Sequence, residues 1–251
     1  PEKNPDGKYK LAQLVRANKA LYEYTKAFGT PCISGKDSMF VDGYIEDIYG
    51  TVHKISGLPA LQFTAVAKIP DVRKCVTMDV KQPGDLVYLL GFTKDELGAS
   101  EYYEMLGYVG RNVPKVDAKE ALKLYKALNN AIEARLVASC HGCYRGGLGV
   151  ALALKAIAGG YGLCIDLAKV PTNLIREDKI LYSESPSRFI VTIAPENKER
   201  FEEVLHALCC ACIGEVIKDK NFIVRGLNGN KIINIPLNEL KAAWQQTFGN
   251  F

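Results

Sequence analysis

Between Tyr9 and Phe28, Leu11, Leu14, Val15, Asn18, Leu21, Tyr22 and Thr25 recur at steps of three and four residues, the spacing that gathers side chains on one face of an amphipathic helix. Gly29 is the expected stop and Pro31 prevents continuation. Pro31-Cys32-Ile33-Ser34 then reads as a short buried strand running into the polar turn Gly35-Lys36-Asp37-Ser38, with a second turn at Asp42-Gly43. Residues 60–67 are apolar and partly alternating, as a core strand would be.

The pattern changes across residues 69–74, and a new unit opens with Val76-Thr77-Met78, read as a strand. The turn Gln82-Pro83-Gly84-Asp85 leads into an unbroken apolar strand, Leu86-Val87-Tyr88-Leu89-Leu90-Gly91. A loop at 98–101, a helix over 118–135, a loop at 140–147 and a helix over 148–158 follow. The last third supplies a strand over 188–193, a helix over 196–210 and strand-like runs at 212–217 and 220–225. Helices and strands alternate throughout, which predicts an α/β or α+β class in two domains, 1–74 and 75–251. No internal repeat or low-complexity tract is visible.

With 48% hydrophobic and 24% charged residues, the 251-residue chain has the balance of a folded globular protein. A net charge of +4 without a dense Lys/Arg stripe gives no nucleic-acid footprint. Lys155 interrupts the longest apolar stretch, from Leu148 to Ile165, so no run reaches the ~18 residues of a membrane span. The first residue is Pro1 and no basic-then-apolar leader is present, so the chain reads as a piece of a longer protein of the cytoplasm. The eight cysteines are expected to be reduced thiols. Cys140-His141-Gly142-Cys143 and Cys209-Cys210-Ala211-Cys212 could together bind a metal, but the adjacent thiolates of the second group suit one tetrahedral zinc poorly. That group also extends the apolar side of the helix carrying Phe201, Val204, Leu205 and Leu208, so packing is the expected role. No metal site is predicted.

Four stretches could carry chemistry. Ser34-Gly35-Lys36-Asp37-Ser38 combines strand-end backbone N–H groups with an ammonium and two hydroxyls, a combination suited to phosphate. It is not a P-loop, because residue 30 is Thr rather than Gly. An inert polar turn is the bland alternative. Arg145-Gly146-Gly147-Leu148-Gly149 precedes an apolar helix whose N-terminus would favour an anion; close packing of the glycines on a sheet is the alternative. His141 alone reads as a hydrogen-bonded structural residue rather than a base. Ser183-Glu184-Ser185-Pro186-Ser187-Arg188 places a carboxylate and a guanidinium four residues apart, as for an internal ion pair holding a loop. Leu97-Gly98-Ala99-Ser100-Glu101-Tyr102 reads as a tight connection.

In this order, these stretches resemble the phosphoribosylformylglycinamidine synthase family, the formylglycinamide ribonucleotide amidotransferases of purine biosynthesis. The resemblance is carried by Pro1-Glu2-Lys3, by Tyr9-Lys10-Leu11-Ala12-Gln13-Leu14-Val15-Arg16-Ala17 and by Gly29-Thr30-Pro31-Cys32-Ile33-Ser34-Gly35-Lys36-Asp37-Ser38-Met39. Leu97-Gly98-Ala99-Ser100-Glu101-Tyr102, Gly146-Gly147-Leu148 and the stretch from Ser183 to Arg188 add to it. That family is built of two halves, each similar to aminoimidazole ribonucleotide synthetase, with an α/β domain followed by an α+β domain. The chain resembles the second half, its first domain truncated at the N-terminus.

The resemblance implies an ATP-dependent ligase of the C–N class, in which the amide oxygen of formylglycinamide ribonucleotide is phosphorylated and glutamine-derived ammonia displaces the phosphate. It implies ATP and magnesium in the whole enzyme, with none held tightly by this half. The implied partners are the N-terminal synthetase half and a glutaminase. Open strand edges on a truncated first domain would favour a homodimer. Ser38 would hydrogen-bond substrate, while Gly35 and Lys36 would lie by the phosphates. Where the family's glycine stretch runs His-Asp-x-Ser-Asp-Gly-Gly-Leu, this chain reads His141-Gly142-Cys143-Tyr144-Arg145-Gly146-Gly147-Leu148. Both carboxylates are lost, so the loop is not expected to ligate magnesium. Arg145 is left either to bind a phosphate or to pair with a neighbour such as Glu184. The expectation is a degenerate nucleotide site in a half that is inactive alone. Rival readings are another ATP-dependent synthetase or kinase of the same superfamily and a non-catalytic nucleotide- or phosphate-binding module.

Overall fold

The computed structural model describes residues 6–36, 42–57 and 60–246. The chain divides into two units, 1–69 and 70–251. In the first, α1 spans Gly7–Phe28 and ends at Gly29, whose φ of 66° is the left-handed stop that glycine supplies. β1 (Asp42–Glu46) and β2 (Val52–Ser56) form an antiparallel hairpin with Asp42 opposite Ser56. Lys10 of α1 bonds Asp42 of β1 and, at 2.9 Å, Ser56 of β2, while Lys54 bonds Asp6 at 3.0 Å and Asp42 at 3.1 Å. These two ammoniums hold the Asp6 and Asp42 carboxyls below the usual range.

None of the described residues of this unit is buried. Three expectations fail here. Residues 31–34 are exposed and form no strand, with Ile33 89% exposed. Residues 60–67 are likewise exposed and irregular. Among the described residues neither segment has a neighbouring strand to complete its ladder, and apolar composition without a partner does not make a strand. Asp42-Gly43, expected as a turn, opens β1.

The second unit is built on a seven-stranded sheet. Its strands are β3 (Leu86–Leu90), β4 (Ser139–Gly142), β5 (Gly162–Asp166), β6 (Phe189–Ile193), β7 (Cys210–Ile217), β8 (Asn221–Arg225) and β9 (Lys231–Pro236). Their spatial order is β4-β6-β3-β7-β5-β8-β9, antiparallel except for the β5/β8 pair. The helices are α2 (Glu101–Met105), α3 (Ala118–Glu133), α4 (Gly147–Gly159), α5 (Glu177–Tyr182), α6 (Lys198–Val204) and α7 (Leu237–Gln245).

Helices cover both faces of the sheet. Val87 and Leu89 of β3 pack with Leu148, Leu152 and Ala156 of α4, while Tyr88 and Leu90 pack with Leu124 and Leu128 of α3 and Phe201 of α6. Side chains alternate along a strand, so a strand buried on both faces is apolar at every position, as Leu86 to Leu90 is. Among the described residues no helix is long and apolar enough to cross a membrane.

Several expected elements differ in this unit. Val76-Thr77-Met78 is not a strand, although the Thr77 carbonyl accepts from Cys140 N–H at 3.0 Å. The expected loop at 140–147 begins as β4. The expected helix over 196–210 is a 3-10 turn at Pro195–Asn197 followed by α6, which ends at Val204. Ala207 turns left-handed at φ 65°, and Cys210 to Cys212 pair with β3 as the start of β7. The thiols therefore lie on a strand, because β3 takes a partner on each side and sheet pairing overrides helical spacing. β4 and β7 are separated by β6 and β3, about 14 Å at the usual strand spacing, so the two cysteine groups do not converge. Among the described residues no cluster of three or more His, Cys, Asp or Glu is placed to hold a metal.

Lys155, on α4, is wholly buried among these apolar residues. Its ammonium donates to the Met78 carbonyl at 2.9 Å and to Ser139 Oγ at 2.7 Å, and it has no ion-pair partner among the described residues. Burial lowers its pKa to about 8. An unfolded lysine keeps its proton up to pH ~10.5, so between the two values the unfolded chain binds more protons and stability rises with pH. Urea melts from pH 7 to 10.5 are expected to gain on the order of 3 kcal/mol from this group. Lys155→Met is expected to abolish that rise; an unchanged slope in the variant would refute the assignment.

Candidate functional site

Three segments meet at one end of the sheet: 93–101 after β3, 143–147 between β4 and α4, and 183–188 between α5 and β6. Buried hydroxyls join the first to the third. Ser183 Oγ donates to the Lys94 carbonyl at 2.5 Å and accepts from Glu96 N–H at 3.2 Å. Ser185 Oγ accepts from Lys94 N–H at 3.0 Å, and Glu184 N–H donates to the Glu96 carbonyl at 3.1 Å. All four bonds span more than 80 residues of chain, so this end of the sheet closes only in the folded protein.

Arg188 is 1% exposed. Its Nε donates to the Ser185 carbonyl at 2.9 Å, Nη1 to Thr93 Oγ1 at 2.8 Å and Nη2 to the Ser183 carbonyl at 2.5 Å. Burial lowers its pKa, opposed by the charges of Cys143, Glu96 and Glu184. The fixed fork of the guanidinium is what lets one side chain serve three acceptors.

Glu184 does not form the ion pair with Arg188 that their spacing invites. Its Oε1 accepts from Gly146 N–H at 2.8 Å and from Glu101 N–H at 3.0 Å. These amides stand at the starts of α4 and α2, so one carboxylate serves two helix N-termini. Arg145 pairs with Glu101, not with Glu184, and is 80% exposed. Ser100 caps α2, its Oγ accepting from Tyr103 N–H at 3.2 Å.

Gly146 and Gly147 have φ of 80° and 67°. A Cβ on Gly147 would lie 2.5 Å from the Ser183 carbonyl oxygen, so the second glycine is required by close approach of α4 to the 181–183 backbone. This is the packing alternative for the glycine pair, and it coexists with an N-terminus that Glu184 already fills. His141 lies on β4, half-buried, its ring edge-on to Tyr144 at 5.6 Å. Burial, helped by the charge of Lys155, lowers its pKa, which keeps the imidazole neutral near pH 7.

A cleft of about 460 Å³ opens beside these segments, lined by Tyr144, Arg145, Glu184, Ser187 and Arg188 among others. Tyr125 reaches its wall from α3, with its hydroxyl 2.9 Å from Ser187 Oγ. Of the residues singled out in the sequence, the structure brings together Arg145, Gly146, Gly147, Glu184 and Arg188, with His141 on the adjoining strand. Ser34, Gly35 and Lys36 belong to the first unit and are exposed in irregular chain. Asp37 and Ser38 lie outside the described residues. Glu101, Tyr125 and Tyr144 were not singled out as site residues. Glu101 stood within a flagged stretch, but no local pattern marks a tyrosine on α3 as facing a loop 62 residues away.

Residues 82–226 match the model of the AIR synthase related protein, C-terminal domain. The chain is 32% identical over 249 residues to the phosphoribosylformylglycinamidine synthase subunit PurL of Methanocaldococcus jannaschii, covering 98% of this chain and 33% of that protein. It therefore spans about a third of that relative's length. Among solved structures, PurL of T. maritima complexed with FGAR is similar with a TM-score of 0.64 at 20% identity, over 87% of this chain and 36% of that one. The same protein complexed with ATP gives a TM-score of 0.62 at 20% identity, over 87% and 34%. At these identities the structures establish a shared fold. With the family model matching more than half of its length, this chain belongs to the AIR synthase related proteins and carries their C-terminal domain over residues 82–226.

Proposed function

We propose that this chain is the C-terminal synthetase half of a phosphoribosylformylglycinamidine synthase, contributing one wall of a composite site and inactive without its N-terminal half. The near-complete alignment with one third of PurL supports this reading. In the reaction the substrate's amide oxygen attacks the γ-phosphorus of ATP and ADP departs. Ammonia from a glutaminase then adds to the activated carbon, and expulsion of phosphate with loss of protons leaves the amidine. Positioning and charge neutralisation dominate such phosphoryl chemistry. The segment Ser34-Gly35-Lys36-Asp37-Ser38 is assigned to phosphate and substrate.

The single observation that carries the proposed role of this half is the state of its glycine stretch. The N–H of Gly146 is taken by Glu184, and Arg145 is paired with Glu101. The residues here do not fit magnesium: the Tyr144 to Gly147 loop has no carboxylate, one Glu184 oxygen is held by two amides, and Glu101 is matched by a cation. No step is routed through a metal at this loop. The same observation favours, as a second reading for the isolated chain, a non-catalytic module that docks to its other half.

Mixing this chain with the separately produced N-terminal half, with ATP, magnesium, ammonia and formylglycinamide ribonucleotide, is expected to restore amidine formation, while the chain alone gives none. Turnover by the chain alone would sink the composite reading. Absence of turnover from a complex shown to assemble would leave the docking module. Calorimetry showing magnesium-dependent ADP binding to this chain alone would overturn the closed-loop assignment.

A further inference from the structure

Pro186 and Ser187 line a second cavity besides the cleft, of about 290 Å³, between the N-terminal half of α3, the end of β3 and the start of β7. Its acidic groups are already engaged. Asp117 Oδ1 accepts from the N–H groups of Lys119 at 3.0 Å and Glu120 at 3.1 Å, and Glu120 pairs with Lys123 at 2.7 Å. Its cations are not. Lys94 and Lys115 use their backbone amides, on Ser185 Oγ and Glu96 Oε1, but among the described residues neither ammonium has an ion-pair or hydrogen-bond partner. Glu96, 7% exposed, accepts the Lys115 N–H on Oε1, and its Oε2 is buried without a partner among the described residues.

The floor is apolar, made by Phe92, Ala121, Leu124 and Leu208, with Phe92 36% exposed. Two of the four non-glycine residues with left-handed backbone among the described residues, Ser187 at φ 57° and Ala207 at φ 65°, also line it. Such conformations persist only where surrounding structure imposes them, and they gather at ligand sites.

Two uncommitted ammoniums match a doubly charged head better than a carboxylate, and a phosphomonoester carries about −1.5 to −2 at pH 7. A flat ring suits an apolar floor edged by an aromatic side chain, and the volume lies near the lower limit of small-molecule pockets, about 300 Å³. We propose that this cavity is a second ligand site, taking a nucleoside monophosphate with its phosphate between Lys94 and Lys115 and its base against Phe92 and Leu208. The site requires no metal and does not rest on the synthetase reading. Because Pro186 and Ser187 form part of both walls, occupancy here would bear on the cleft.

Calorimetric titration of the full chain in chelator, with adenosine 5′-monophosphate, adenosine and inorganic phosphate as probes, tests the proposal. The monophosphate is expected to bind at least tenfold more tightly than either part. Lys94→Gln/Lys115→Gln is expected to weaken it at least tenfold, whereas Lys169→Gln/Lys218→Gln, which removes the same charge elsewhere, leaves it unchanged. No binding at millimolar concentration, equal binding by the Lys94/Lys115 variant, or phosphate binding as tightly as the monophosphate would each overturn it. Should the variant fail to fold, acetylation of the native chain decides: the monophosphate slows modification of Lys94 and Lys115 if the site exists, and leaves it unchanged if it does not.

Discussion

Arg188→Met is expected to cost the second unit about 2–4 kcal/mol, read as a lowered urea midpoint at unchanged slope. Methionine fills much of the same volume but donates nothing, so the Ser183 and Ser185 carbonyls and Thr93 Oγ1 lose their donor in a dry interior. Each buried acceptor left unpaired costs on the order of 1 kcal/mol or more. One term runs the other way. Among the described residues the guanidinium has no ion-pair partner, and its pKa is lowered by burial, so removing the charge returns part of the desolvation cost. Three orphaned acceptors outweigh that return. Arg188→Lys keeps the charge but replaces a fork with a point donor, and it is expected to be no better than methionine. A melt in which Arg188→Lys matches the native chain would show that charge, not geometry, is what the position needs.

Gly147→Ala is expected to be as damaging, and for a backbone reason. The residue sits at φ 67°, and its Cβ would meet the Ser183 and Leu181 carbonyl oxygens at 2.5 and 2.8 Å. Both are main-chain atoms, so relief requires α4 to move away from the 181–183 segment. That shift would carry Glu184 off the Gly146 amide and open the start of α4. The left-handed conformation alone costs alanine about 1–2 kcal/mol, and displacement brings the expected loss to about 3 kcal/mol or more. Gly160→Ala is the control. Its φ is 70°, but nothing lies within 4 Å of the added Cβ, so it should show the conformational cost alone. Equal losses in the two variants, measured by thermal melting, would mean that the α4 contact carries no weight.

These two positions also divide what was legible in the sequence from what was not. α1, α3 and α4 were readable because an amphipathic or continuous apolar pattern is a local property, set by neighbours three and four residues away. β3 was readable because burial on both faces makes every position apolar, and β6 because only Thr192 interrupts its apolar run. Gly146-Gly147 before an apolar helix and the polar stretch 183–188 stood out along the chain, and the structure brings them together through Glu184 and the Gly146 amide.

The sequence by itself thus determined the class of fold, the long elements and the stretches from which the cleft is made, since each is written in residues close along the chain. Tertiary structure decided the rest. It ended α6 at Val204 and turned Cys210 to Cys212 into a strand, because β3 needed a second partner. It left residues 31–34 and 60–67 without a ladder. It chose Glu101 for Arg145, two helix amides for Glu184, and three acceptors as far away as Thr93 for Arg188. Spacing along a chain counts candidate partners, but a hydrogen bond forms with whichever group the folded backbone brings within about 3 Å, so Glu184 meets Gly146 across 38 residues and Arg188 meets Thr93 across 95, beside the near carbonyls of Ser183 and Ser185.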